Sequence, residues 1–504
     1  MSMLALQAAP ALPLAQAWWL GTHRRMDLMN VPAFSAAAPA APTLAPRVTV
    51  QRRLHRLPSR LPAELLSLAD HLQGRPGAAA LDAPAALALL LRHLAAPLSY
   101  QADNPYAIHR AVPSPRCAYP CRVFVIERHD AGVRQWLYEG EHQALAVAGG
   151  PCDAQALLGE HPLAVIGVAR HWVLADKYGD FAPFNGMLEA GMAQAQLQHL
   201  AQALGWAAEP LEGDPAALRA ASRLCEHPLE TVAYGLRLTP AAGQRWPASW
   251  PGDAVDTPVA TQAPSPRLAE AYDLLPRLAA QFAAIGPAQP FTPALPPTPP
   301  RSAPASPDLP PGLGLLQLMR ARSAGSDRGG LAPRLAPLPA GTRDQLLALW
   351  RALAARRPAL PGEAELQPLL MWLDEAAGDT GLFTANGESA GAMPPARLKA
   401  LLQGSLPHAG VRHNLHGLKC HALWCADLDA AQARHGGAAL RRLHLAAGAQ
   451  AQDFSLAATA FGLFARPLRM MREAVLEGGL ALPGPLVYQV MCGLNRRTNT
   501  RWEL

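Results

Sequence analysis

Apolar positions recur along this chain at two spacings. Leucines three and four residues apart mark amphipathic helices over 63–72 and 343–356. Short apolar runs at 123–126, 163–168 and 232–238, and again at 369–373, 421–425 and 486–491, have the length expected of buried strands. Two longer alanine-rich stretches, 187–205 and 444–462, predict helices whose small residues allow close packing against another helix or a flat cofactor. Proline-rich stretches at 32–46 and 286–314 fit neither helix nor central strand and act as a lead-in and a semi-rigid spacer.

These elements come twice in the same order. Each half opens with an arginine-rich turn, Arg52-Arg53-Leu54-His55-Arg56 or Arg320-Ala321-Arg322-Ser323-Ala324, followed by an amphipathic helix. A proline-bounded octet follows, 113–120 or 361–368, then a strand and a turn carrying Leu137-Tyr138 or Leu382-Phe383. A second strand, the alanine-rich helix and a closing strand bearing Tyr234 or Tyr488 complete each set. Six shared elements offset by about 250 residues indicate an internal duplication. The expected organisation is an arm over 1–46, a first domain over 47–285, a linker over 286–312 and a second domain over 313–504.

Composition narrows the chemistry. A length of 504 residues exceeds one core and suits two domains. The net charge of +6 comes without a Lys/Arg block interleaved with aromatics, so no nucleic-acid partner is expected. Seven scattered cysteines form no disulfide framework, and Cys117 and Cys121 read as buried thiols rather than zinc ligands. His408, His413, His416 and His421 lack the carboxylate company of a metal site. The apolar N-terminus has no basic start and reads as a packing arm rather than a signal peptide. No apolar run reaches the length of a membrane span, and a reducing, cytoplasmic setting is expected.

The ordered elements resemble the nitroreductase superfamily, and within it the SagB-type dehydrogenases, which include the azoline oxidases that make thiazoles and oxazoles in peptides. The family opening, Arg-Arg-Ser-x-Arg, is similar to Arg52-Arg53-Leu54-His55-Arg56. Its Pro-Ser-Ala-Gly-Ala-Leu-Tyr-Pro segment is matched in register by Pro113, Ser114, Tyr119 and Pro120. Its third motif is matched by Lys177-Tyr178-Gly179 and Leu188-Glu189-Ala190-Gly191. Phe181 and Phe184 stand where the family has arginines, and Met192 where it has a histidine. In the second half the Lys-Tyr pair becomes Arg434-His435, and an arginine reappears at Arg441.

The resemblance implies an α+β fold, a mixed antiparallel-rich sheet wrapped by helices, that normally dimerises around FMN. A tandem chain would then be an intrachain pseudo-dimer, working as a monomer or as a homodimer of such chains. Residues that could hold FMN are Arg52, Arg53, Arg56 and Ser114 in the first half. Arg320, Arg322, Ser323 and Arg441 in the second half join them, with Arg497 in a C-terminal cluster also containing Arg496 and Arg501. Arginine grips phosphate oxygens bidentately, so a turn or first helical turn could present two of the first three together; a solvated basic turn is the alternative. Ser114 is equally a turn residue between prolines, and the C-terminal arginines equally a basic tail.

Azoline oxidation removes a carbon-bound proton while hydride leaves to the flavin, and the resemblance assigns that proton to Lys177 and Tyr178. Tyr178 would serve as base only with a lowered pKa, and a cationic neighbour supplies that. A surface lysine beside a half-buried tyrosine is the plain alternative. Glu189 is a second polar group, or simply a helix-face carboxylate. The expected activity is FMN-dependent oxidation of a peptidic or heterocyclic substrate, with a biosynthetic partner protein conceivable. An NAD(P)H-dependent nitro- or quinone reductase and a non-catalytic scaffold for a maturation partner are the alternatives.

Overall fold

The computed structural model describes residues 13–19, 45–77, 81–129, 132–149, 153–242, 254–265, 274–287, 312–325, 333–406, 414–495 and 501–503, save 103, 105, 378 and 470, together with 244, 309 and 331. The first half supplies β1 (Arg47–Arg56), β2 (Ser99–Gln101), β3 (Ile108–His109), β4 (Cys121–His129), β5 (Gly132–Glu139), β6 (Ala144–Val147), β7 (Leu163–Arg170), β8 (Ala207–Pro210), β9 (Glu230–Thr239) and β10 (Ala254–Gln262). The second supplies β11 (Leu366–Trp372), β12 (Gly381–Thr384), β13 (Ser389–Ala392), β14 (Leu418–Ala426), β15 (Leu463–Leu468), β16 (Leu486–Leu494) and β17 (Arg501–Glu503).

The first sheet runs β10-β1-β6-β5-β4-β7-β9-β8 and the second β13-β12-β11-β14-β16-β15. Six strands of the first therefore repeat in the second in the same sequential order, with β1 and β10 added at one edge. The predicted strands lie within β4, β7, β9, β14 and β16, and 369–373 overlaps β11 and ends one residue beyond it. They were legible because β7 and β14 are buried almost throughout, and a strand covered on both faces is a continuous apolar run. Leu137-Tyr138 and Leu382-Phe383, expected in turns, instead lie inside β5 and β12, where Leu137 pairs with Phe124, Tyr138 with Leu145, and Leu382 and Phe383 with Met371 and Leu370.

The helices that join the halves are α1 (Leu14–Trp19), α2 (Leu68–Leu72), α3 (Ala83–Ala95), α4 (His171–Tyr178), α5 (Ala182–Ala203), α6 (Leu275–Ala283), α7 (Leu315–Ala321), α8 (Thr342–Arg356), α9 (Leu428–His435) and α10 (Ala439–Ala460). The predicted alanine-rich pair is α5 and α10, each followed by a glycine at positive φ, Gly205 and Gly462, the left-handed residue that commonly stops a helix. The expected helix over 63–72 is confined to α2, begun by Ser67 accepting from the Asp70 N–H. The helix that packs on α5 as α8 packs on α10 is α3, capped by Asp82.

The arginine-rich segment at 52–56 is the end of β1 rather than a turn or helical start. Its residues alternate, Leu54 inward and Arg53 outward, because β1 is paired with β10 along nine residues and with β6 at its end. Nothing in the second sheet corresponds to β1, and Arg320, expected in a turn, instead lies in the last turn of helix α7, so Arg52–Arg56 and Arg320–Ala324 are not equivalent. The segment before α7 instead meets its counterpart before α2: Ser67 and Gly314 form an antiparallel bridge. The spacer over 286–312 lies largely outside the described residues.

α5 and α10 cross at their glycines. A Cβ on Gly191 would stand 2.8 Å from the Leu445 carbonyl carbon, and one on Gly448 would stand 3.0 Å from the Gly191 Cα. Small residues thus serve helix-on-helix approach, and one apolar core runs through both halves, from Leu90 and Leu197 to Leu349 and Phe454. A buried polar chain crosses the same contact. His71 meets His199 at 3.0 Å, His199 meets Asp453 at 2.8 Å, and Arg357 bridges Asp453 and Glu363 at 2.8 and 2.6 Å. Burial pushes the His71 pKa down to about 2, so that imidazole stays neutral.

Candidate functional site

The loop 113–120 links β3 to β4. Ser114 is extended between two prolines, and its hydroxyl donates to Glu189 Oε2 at 2.6 Å while accepting from the Tyr119 N–H at 2.8 Å. Three non-glycine residues of the loop, Arg116, Cys117 and Tyr119, hold φ near +50°: 51°, 52° and 47°. Such conformations persist only where the surroundings impose them. Tyr119 Oη accepts from the Arg110 N–H at 3.0 Å and donates to the Ile108 carbonyl, while the Arg110 guanidinium lies 4.3 Å over the Tyr119 ring.

Glu189 is the only ionisable acid on α5 and is buried. Burial pushes its pKa up to about 8, against the opposing pull of the Ser114 hydrogen bond and the Arg110 charge. The second half reaches this same place. Arg322 donates to the Ala111 carbonyl at 2.7 Å, and Tyr488 donates to Met192 Sδ at 3.7 Å.

Of the predicted pair, Tyr178 faces this cluster, with the Arg116 guanidinium 5.9 Å over its ring, whereas Lys177 ends α4 exposed. The expected lowering of the Tyr178 pKa does not occur. Desolvation raises it to about 12, outweighing Arg116, so the phenol is a hydrogen-bond donor at neutral pH.

Ser114, Tyr178 and Arg322 are thus brought together. Arg320 is nearby in sequence and donates to the Ala63 carbonyl, and Ser323 accepts from the Gly325 N–H. Arg52 is ion-paired to Glu139 at 2.7 Å, and with Arg53 and Arg56 it lies on β1, separated from β4 by β6 and β5. Arg497 and Arg496 lie outside the described residues. The strand that follows them, β17, pairs with β2 of the first half, so the C-terminus returns to the side of the candidate loop.

The opposite cleft is built differently. Two residues before Gly448 stands Ala446, where Glu189 precedes Gly191. Gly362, at φ 101°, lies against the Arg442 carbonyl. Glu365 of the second octet takes His435 at 3.0 Å and Arg434 at 2.7 Å. Arg441 is bound by both carboxylate oxygens of Glu212 and by the Val232 and Phe282 carbonyls, which occupies the fork expected to hold a phosphate. Beside Arg441 lies a half-open cavity of about 280 Å³, reaching Cys225, His227 and Ile285.

The sequence leaves Glu189 open between a second polar group of the site and a helix-face carboxylate, and the structure buries it. The available signal was its isolation, a lone charge in a helix of otherwise uncharged residues. Arg110, at the hub of the cluster, carried no motif. Among the described residues no group of His, Cys, Asp and Glu could hold a metal ion, and no helix is long and apolar enough to cross a membrane.

The donors present, a serine hydroxyl, a tyrosine phenol and the Arg116 and Arg322 guanidinium groups, have the chemistry FMN requires. The space does not. The cavity between Arg110, Tyr119, Cys121, Glu189 and Tyr234 measures about 20 Å³, room for one water and not for an isoalloxazine ring.

The sequence matches no family model, and no curated protein is similar to it. Its structure is similar to that of a provisionally assigned nitroreductase from Anabaena variabilis, at 16% identity and a TM-score of 0.65, over 94% of this chain and 99% of the other. A second provisionally assigned nitroreductase, from Ralstonia eutropha, overlaps 41% of this chain and 94% of its own at 19% identity, with a TM-score of 0.29. The E. coli microcin synthetase McbBCD complex with truncated pro-MccB17 overlaps 46% of this chain and 83% of its own at 13% identity, with a TM-score of 0.24. The last two overlaps are too weak to carry an argument. The first extends along both halves, and the fold is nitroreductase-like, of the α+β class, with two large sheets.

Proposed function

We propose that the chain is an oxidoreductase of nitroreductase-like fold, derived by tandem duplication, with one working cleft: the one bounded by loop 113–120, Tyr178, Glu189 and Arg322. The carrying observation is the asymmetry between the clefts. One keeps a buried carboxyl linked to the octet loop by Ser114, while the other has Ala446 in its place and commits Glu365 to His435 and Arg441 to Glu212. FMN is the cofactor this reading requires, and Ser114, Tyr178, Arg116 and Arg322 are the residues that would hold it. The described loop is closed against it, so the reading requires the loop to move.

The chain's own residues divide the remaining work. Tyr178 offers an O–H to a substrate heteroatom, Glu189 holds an exchangeable proton at neutral pH, and Ser114 orients that carboxyl. The family resemblance of 47–240 points to a peptidic or heterocyclic substrate oxidised from azoline to azole. FMN titration followed by quenching of flavin fluorescence tests the cleft assignment. Arg322→Ala should weaken binding at least tenfold, about 1.4 kcal/mol, as for loss of one charged hydrogen bond. Arg441→Ala should leave affinity unchanged, and equal losses in both variants would remove the asymmetry.

The tight cavity favours a second reading, a fold retained as a scaffold for a maturation partner. Failure of the native protein to bind FMN at any concentration would establish that reading over the first.

A further inference from the structure

The left-handed residues Arg116, Cys117 and Tyr119 make loop 113–120 a strained closure, and the Ser114 side chain ties it to α5. Ser114 takes the Tyr119 N–H on one side and gives its own proton to Glu189 on the other. The groups facing that carboxyl come from every element packed around it. Ser114, Arg110, Cys117 and Cys121 belong to the loop and its flanks, Tyr178 to α4, Tyr234 to β9 and Tyr488 to β16. Burial raises the pKa of each of these tyrosines and cysteines, so none carries charge near neutral pH. Arg110 is the cation that acts on the Glu189 carboxyl, stacked on Tyr119 with its buried Nε making no hydrogen bond among the described residues, while Arg116 lies over Tyr178 and Arg322 is held by the Ala111 carbonyl.

We propose that Ser114 and Glu189 form a proton-controlled latch, in which the closed loop holds Glu189 protonated and loss of that proton releases the loop and opens the cleft. A neutral carboxyl fits a cavity that admits a single water. An ionised one has a single hydrogen-bond donor and no bonded cation, and gains most by exchanging the closed wall for solvent. The sign follows from the direction of the shift. Closure raises the pKa from its ordinary value of 4.5 to about 8, so the closed form binds the extra proton between those limits and is weakened as pH rises through them. The opening equilibrium grows about tenfold per pH unit within that window and levels off above it.

The latch rests on this cleft being the working one only for its purpose, namely admitting cofactor or substrate; the motion itself needs neither. Hydrogen–deuterium exchange of the Arg116, Cys117, Ala118 and Tyr119 amides, on the full chain as purified and corrected for intrinsic rates, measures it directly. Protection should fall about fiftyfold between pH 6 and pH 8, the rise flattening as the closed form itself ionises near pH 8. Glu189→Gln, which keeps the Ser114 contact without the titration, should hold protection high and flat, and Ser114→Ala should leave it low at every pH. A flat native profile, or the native slope persisting in Glu189→Gln, overturns the latch. If Glu189→Gln does not fold, the native and Ser114→Ala profiles decide alone, and equal slopes in the two overturn it. A colourless protein with the predicted slope keeps the latch and loses the flavin reading, while a flavin-loaded protein with flat protection does the reverse.

Discussion

Replacing Gly191 or Gly448 by alanine tests the contact on which the two-half architecture depends. On an exposed helix either change would stabilise by about 1 kcal/mol through helix propensity alone. At the crossing, the Gly191 methyl would lie 2.8 Å from the Leu445 carbonyl carbon and 3.0 Å from the Ala449 nitrogen, and the Gly448 methyl 3.0 Å from the Leu188 carbonyl carbon. Ordinary carbon contacts fall near 3.5–4.0 Å, so the helices must separate by roughly 1 Å. The obstructing atoms are backbone and cannot change rotamer. Overpacking of this kind costs about 1–3 kcal/mol, and the upper part of that range applies here, leaving a net loss of about 1–2 kcal/mol per substitution. Both methyls act on one crossing, so the separation forced by the first partly accommodates the second. The double variant should fall short of additivity by about 1 kcal/mol. Urea unfolding of the native, single and double variants, followed by tryptophan fluorescence, measures all three quantities. Single variants as stable as the native protein, or a strictly additive double, would mean that α5 and α10 do not meet at these glycines.

Asp453→Asn should cost about 3–5 kcal/mol in the same unfolding assay, because it strips a charge partner from the buried Arg357 and His199. For Glu189, the folded chain binds the proton more tightly than the unfolded one, so its contribution to stability is complete below pH 4.5 and is lost as pH rises towards 8. The loss, on the order of 5 kcal/mol at most, should vanish in Glu189→Gln when unfolding is measured across that range. Arg52→Ala with Arg56→Ala should leave flavin affinity unchanged in a fluorescence titration, since β1 lies beside the edge strand β10, with β6 and β5 between it and β4. Tyr178→Phe should lower substrate turnover while flavin remains bound, and unchanged turnover would remove Tyr178 from the chemistry.

The sequence exposed the parts of the fold that are buried on all sides. β7 and β14 are unbroken apolar runs, and α5 and α10 are alanine-rich because each packs against its counterpart over much of its length. The edge additions were hidden. β1 carries four arginines and reads as a basic turn unless the alternation of Val48, Val50 and Leu54 is given priority, and β10 contains Pro258, tolerable because β10 is an edge strand. Read alone, the Leu137-Tyr138 and Leu382-Phe383 segments look like turns because few apolar positions precede them, and only pairing with β4 and β11 defines them as β5 and β12. At the site, the positions were legible but not their electrostatics. Glu189 and Tyr178 stand in recognisable motifs, yet their raised pKa values come from burial that the second half helps to create through α10 and Tyr488. A cationic neighbour was expected to govern Tyr178; desolvation governs it instead.

We propose one working cleft in a chain that has two. The visible absorption spectrum of the freshly purified protein, with released cofactor identified by mass and counted against protein, tests it most directly. FMN should approach one per chain after reconstitution, with Arg441→Ala reaching the same limit. Two flavins per chain would mean that the cleft holding Glu212–Arg441 and Glu365–His435 also works, and none would leave a nitroreductase-like fold without its redox role.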